Sequence, residues 1–188
     1  MNEVVRYLKK FWKFLKEDSW QSLVVTLIIA FVLIKWVFFP LLSLATGTAL
    51  PLMIVESCSM YHTTNLEDVL ENNIYEDYDI SLDDGLSWGF KGGLNKGDIV
   101  FAIGDSNLEV GDVIIFNAGR AHPIIHRVIS TDPLTTKGDH NSGLLNDEQN
   151  INSDSVMGRA VFRIPYIGWI KLMFFEPFRA DGDKGFCS

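Results

Sequence analysis

The chain has 188 residues, 47% of them apolar, and a formal net charge of −8, which bounds it to one domain with room for an appended segment. The charge is local: eight acids (Glu67, Asp68, Glu71, Glu76, Asp77, Asp79, Asp83 and Asp84) fall between Tyr61 and Phe90 with no Lys or Arg among them, and the remainder is nearly neutral. No basic stripe is left to neutralise phosphates, so a nucleic-acid partner is excluded as the main ligand. The cysteines, Cys58 and Cys187, lie far apart and do not read as a disulfide framework.

Residues 1–19 read as an amphipathic helix. Val4, Val5, Leu8, Phe11, Trp12 and Leu15 follow helical spacing, and Arg6, Lys9, Lys10, Lys13 and Lys16 take other positions. Such a helix fits an anionic membrane surface. Residues 20–39 form the expected transmembrane signal-anchor, unbroken in apolar residues from Leu23 to Ile34. Trp20 and Trp36 fall at its two interfaces, and Lys35 snorkels. The five basic residues ahead of it place the N-terminus in the cytoplasm and everything from Pro40 onward outside the cell membrane. Pro40 is expected to end the helix, and an extended segment is expected to lead into a strand at Met53-Ile54-Val55.

Residues 40–178 are then the extracytoplasmic domain, with an acidic insertion at 63–94. A short helix over 65–73 is possible by composition. The insertion either packs through Tyr75, Tyr78, Trp88 and Phe90 or decorates the surface, and the second is the expectation. From Asn95 the pattern turns to strands: Ile99–Ile103, Val113–Phe116, Ile124–Ile129 and Val156–Ile164, the first two each preceded by a Gly-Asp turn. Short strands at this spacing predict a mainly β fold, an antiparallel barrel or sandwich. The apolar piece from Ile164 to Phe175 is too short to span a membrane, and residues 179–188 read as a flexible tail.

Two chemistries compete for the histidines. His122 and His126 are four apart, the spacing of a helical metal pair, but Pro123 and the β-branched run argue for a strand. On a strand the pair would be about 13 Å apart, too far to share an ion. The alternative is a nucleophile with a base. Ser57-Cys58-Ser59-Met60 lies where the chain passes from apolar to polar surroundings. A serine hydroxyl needs a neighbouring base, and an imidazole held by a carboxylate can serve. Ser59, His126 and either Asp147 or Asp139 supply the three roles.

The ordered set Ser-x-Ser-Met after an anchor, Gly-Asp-Ile-Val, Gly-Asp-Val-Ile-Ile-Phe, His-Arg-Val-Ile, Thr-Lys-Gly-Asp-x-Asn and Ile-Pro-Tyr-Ile-Gly-Trp resembles the type I signal peptidases. His126 stands where bacterial members carry a Lys, which is similar to the archaeal and endoplasmic-reticulum type. The resemblance implies a membrane-anchored serine endopeptidase with an antiparallel β domain half sunk in the outer leaflet. It implies Ser59 as nucleophile, His126 as base, Asp147 as the orienting acid with Asp139 beside it, and Ser57 with the Ser59 amide as the oxyanion site. Ile54, Val55 and Met60 would bind substrate, and no metal or organic cofactor is needed. The implied partners are preproteins with signal peptides, the lipid bilayer and the Sec translocon. The chain departs from the family pattern in three places. Tyr61-His62 replace an acidic-Pro pair, the segment from His62 to Leu94 is long, and so is the spacing from Asp139 to Asp147, which leaves open which Asp serves His126. A related protease acting on another exported precursor, or a non-catalytic β module binding through the acidic insertion, is the alternative.

Overall fold

The computed structural model describes residues 3–71, 73–180 and 184–187. It divides into two compact units, Met1–Ala45 and Thr46–Ser188.

In the first unit, helix α1 (Glu3–Leu15) has no buried residue. Helix α2 (Trp20–Leu33) starts at Ser19, whose hydroxyl accepts the Ser22 amide at 3.2 Å. It continues through a π-helical turn, Ile34–Phe38, into α3 (Phe39–Thr46). Pro40 therefore does not end the helix. Proline lacks an amide hydrogen and crowds the carbonyl four residues earlier, and a widened turn just ahead of it relieves that crowding. The helix spans Trp20–Thr46, 27 residues, and only 6% of its most apolar window is buried. At ~1.5 Å per residue it is about 40 Å long, more than the ~30 Å hydrocarbon core of a bilayer. It is apolar enough to cross a membrane.

The second unit is built on one antiparallel sheet of β1 (Leu52–Ile54), β2 (Ile99–Ile103), β3 (Val113–Phe116), β4 (Ile124–Thr131), β5 (Leu134–Lys137) and β6 (Val156–Ile164). The order is β1-β2-β6-β3-β4-β5, with β1 and β5 at the edges. The sheet is open, and helices pack with it, so the fold is mixed rather than a mainly β barrel or sandwich. The edge strands have three and four residues, too few to close the sheet on itself. Strand β5 is not among the strands expected from the sequence.

The sheet is covered on both sides, which is why β3 reads as an unbroken apolar run. Val113 and Ile115 join Val55, Met60, Leu94 and Val100 in one cluster, while Ile114 and Phe116 join Val128 and Leu134 in another. The acidic segment supplies a third. Its helices α4 (Leu66–Leu70), α5 (Asn73–Asp77) and α6 (Leu82–Gly85) bring Leu66, Leu70, Tyr75, Ile80 and Trp88 around Ile129 of β4. The eight acids are exposed. The segment is thus part of the core, not a surface decoration, because its apolar residues recur often enough to cover a sheet face. Helix α7 (Trp169–Phe175) follows β6 and buries Leu172.

If the acidic segment is core, Trp88→Ala should cost about 3–5 kcal/mol of stability, whereas Asp83→Asn on its exposed side should cost under ~0.5 kcal/mol. Urea unfolding of the full chain in detergent, followed by circular dichroism, measures both.

Candidate active site

Strand β1 delivers the chain into a tight loop. The Val55 amide donates to the Asp98 carbonyl at 2.8 Å, which fixes the loop's start to the sheet. The Tyr61 amide closes a turn on the Cys58 carbonyl at 3.0 Å, so Ser59 sits at a turn apex. The Ser59 carbonyl accepts the His140 amide at 2.9 Å, and the Met60 carbonyl accepts the Leu94 amide at 2.7 Å. Met60 itself is buried and anchors the loop in the core. Ser57 Oγ and Ser59 Oγ are 3.2 Å apart. Cys58 forms a disulfide with Cys187, 129 residues away, with Cα atoms 5.5 Å apart. The pair that sequence spacing leaves unconnected is joined because the tail folds back beside this loop. That tail is also held at Arg179, Gly185 and Phe186. The flexible stretch expected over 179–188 is therefore tied down where it is described, and 181–183 and 188 lie outside the described residues.

Strand alternation separates the next two side chains. His126 and Arg127 are neighbours on β4, so they point to opposite faces. On the first face, His126 Nδ1 meets the Glu148 carboxylate, although no partner is aligned well enough with Nδ1 to count as a hydrogen bond. Glu148 is fully buried. Its other contacts are the amides of Gly138, at 2.9 Å, and Leu145. Gly138 permits the approach: a Cβ there would lie 2.7 Å from His126 Nε2.

On the second face, Arg127 pairs with Asp139. Arg127 Nη2 donates to Asp139 Oδ2 at 2.7 Å, and both side chains are buried. His62 Nε2 meets the same oxygen at 2.7 Å, and the Tyr75 hydroxyl donates to Oδ1 at 3.3 Å. His62 Nδ1 faces the Lys91 carbonyl at 3.0 Å. Burial pushes the Asp139 carboxyl up, but the Arg127 charge and the His62 hydrogen bond outweigh it and hold it at about 2.

Neither Asp named from the sequence meets His126. Asp139 belongs to the opposite face. Asp147 pairs with exposed Arg120, whose Nε donates to Oδ2 at 2.6 Å. Residues Asn146–Glu148 form a single 3-10 turn, which sends Asp147 outward and Glu148 inward. Glu148 was missed for that reason: adjacent acids cannot be told apart until the turn that splays them is known. Lys137 is buried as well. Burial lowers its pKa against the pull of Asp139 and Glu148. Its ammonium donates to the Asn141 carbonyl at 2.8 Å and lies over the Tyr75 ring, holding the 138–141 turn.

Ser57, Ser59 and His126 line one cavity of about 700 Å³, and Ile54, Val55 and Met60 form part of its wall. Its rim carries Glu56, which contacts Lys171 and Arg179 at 3.1 and 2.9 Å. Burial raises the Glu56 carboxyl, but these two cations hold it below the usual range. A hydroxyl, an imidazole beside a buried carboxylate, and a strand edge line one cavity, and these are the group types that acyl transfer on an extended peptide uses. Among the described residues, no group of three His, Cys, Asp or Glu side chains is placed to hold a metal ion. No family model and no curated protein matches the chain.

The depressed Asp139 carboxyl adds stability that is complete above its ordinary value of 3.8 and is lost as pH falls toward about 2. The amount is on the order of 2 kcal/mol. Asp139→Asn, which leaves Arg127 buried without its charge partner, should cost about 3–5 kcal/mol at neutral pH and flatten that acid limb. Urea midpoints measured across the acid range test both effects.

Proposed function

We propose that this protein is a membrane-anchored serine endopeptidase that removes signal peptides from exported preproteins, in the manner of type I signal peptidases of the Ser-His kind. The observation that carries the reading is the shared cavity: Ser59 and His126 line it, Glu148 backs the imidazole, and edge strand β1 forms its wall.

In the reaction, an extended precursor segment pairs with the free edge of β1, with its side chains against Ile54, Val55 and Met60. Ser59 Oγ attacks the scissile carbonyl while His126 takes its proton through Nε2. The Glu148 carboxylate beside Nδ1 stabilises the imidazolium by its charge. The Ser59 amide and the Ser57 hydroxyl receive the oxyanion. Collapse of the tetrahedral intermediate passes the proton from His126 to the leaving amine, and water repeats the sequence to release the acyl group. The helix Trp20–Thr46 anchors the chain in the cell membrane with the N-terminus in the cytoplasm, where the bilayer and the Sec translocon bring the substrate. The Cys58–Cys187 disulfide supports an oxidising, extracytoplasmic location for the second unit. The exposed acids favour a second reading, partner binding by the acidic segment.

Cleavage of a model preprotein in detergent separates them. Ser59→Ala should abolish cleavage. Glu148→Gln should lower kcat by about 10²–10⁴, while Asp147→Asn, which breaks only an exposed pair, should change it less than about threefold. A folded wild type that cleaves nothing, or a Glu148→Gln variant with full kcat, would sink the peptidase reading. Partner binding would instead be lost when the exposed acids are neutralised to Asn and Gln, substitutions that leave the Trp88 cluster intact.

A further inference from the structure

The nucleophile loop is held from two directions. Its second half, Ser59 to Tyr61, is tied by main-chain hydrogen bonds to His140, Leu94 and the loop itself. Its first half, Glu56 to Cys58, is tied by residues from the far end of the chain. Arg179 spans two atoms of one residue, donating Nη1 to the Glu56 main-chain carbonyl at 3.1 Å and Nη2 to the Glu56 carboxylate at 2.9 Å. Cys187 is bonded to Cys58, the residue between Ser57 and Ser59.

The far end is itself anchored. Glu176 pairs with buried Lys96 and accepts the Gly185 amide at 2.7 Å. Phe186 stacks on Trp169 with ring centroids 4.4 Å apart, and Trp169 Nε1 donates to the Lys96 carbonyl at 2.8 Å. The clamp is therefore mounted on the turn that precedes β2, and Arg179 also lines the cavity.

We propose that Arg179 and the Cys58–Cys187 disulfide are a positioning clamp on the nucleophile loop, and that opening the disulfide with a thiol slows turnover at Ser59. The proposal rests on the reading of Ser59 as nucleophile. Oxyanion donors act only when they are fixed before the charge develops, and Ser57 and the Ser59 amide flank the clamped residue. The reduction is an ordinary exchange. A thiolate attacks one sulfur and forms a mixed disulfide, a second thiol releases it, two protein thiols result and the reductant leaves as its disulfide. Arg179 reaches carbonyl and carboxylate together through its planar fork, which a lysine cannot do.

The experiment compares the oxidised full chain, the dithiothreitol-reduced chain, the thiol-free variant Cys58→Ala/Cys187→Ala, Arg179→Ala and Arg179→Lys. Preprotein cleavage and amide hydrogen exchange are measured in the same detergent. Reduction and the thiol-free variant should each lower kcat by about 10- to 100-fold with KM within about twofold, the range that a small misplacement of reacting groups produces. Arg179→Ala should do the same, and Arg179→Lys should recover part of it. Exchange should quicken at Ser57 to Met60 while the amides of β3 and β4 stay protected. Unchanged kcat on reduction overturns the clamp, and so does exchange that rises equally across the sheet. If the oxidised wild type cleaves nothing, the peptidase reading fails by itself. Exchange at Ser57 to Met60 then decides the clamp, faster on reduction upholding it and unchanged overturning it.

Discussion

The buried charge pair between Arg127 and Asp139 is the constraint on which the second unit depends. Two opposite charges inside a protein survive only if their remaining hydrogen-bonding capacity is met. Here it is met by parts of the chain remote in sequence: His62 after the Ser59 loop, Tyr75 in the acidic segment, and the Gly89 and Gly111 carbonyls, each about 3 Å from Arg127 Nη1. Satisfying one guanidinium and one carboxylate therefore fixes the acidic segment against β4 and sets the turn that follows β5. The long acidic segment makes sense in these terms. Its acids keep one side solvated, while its aromatics and backbone carbonyls complete a polar network that would otherwise be costly to bury.

The candidate chemistry lies one residue away from that pair and on the other face of the same strand. His126 inherits a rigid backbone from Arg127, and the turn that carries Asp139 also presents the His140 amide to Ser59 and the Gly138 amide to Glu148. A single turn thus couples the buried network to both candidate reacting groups without sharing a side chain with them. The C-terminal residues hold the first half of the Glu56–Tyr61 loop through Arg179 and Cys187.

Much of this was legible in the chain. The apolar run from Leu23 to Ile34 announces a helix able to span a membrane, and the β-branched runs announce β2, β3, β4 and β6, the first two with their Gly-Asp turns. Ser59 and His126 could be singled out because a hydroxyl, an imidazole and nearby acids together supply the roles of acyl transfer, and because the short motifs around them resemble those of a known family. These signals are local: each depends on side-chain type and spacing over a few residues.

Other features depend on which segments meet, and no local pattern encodes that. Whether the sheet closes was decided by edge strands too short to wrap. Whether Pro40 breaks the helix was decided by a π turn that accommodates it. Whether the acidic segment is core was decided by Ile129, which offers it an apolar face. The acid beside His126 is Glu148 rather than Asp139 or Asp147, because strand alternation and one 3-10 turn set the faces. The Cys58–Cys187 bond exists because a tail 129 residues away folds back on the Ser59 loop. The sequence by itself determined the first two helices and most strands, since these follow from periodicity, and its motifs pointed to the candidate nucleophile and base through side-chain chemistry and a family resemblance. Only tertiary structure chose the carboxylate, the disulfide and the open sheet, since contact between distant segments is a property of the whole packed chain.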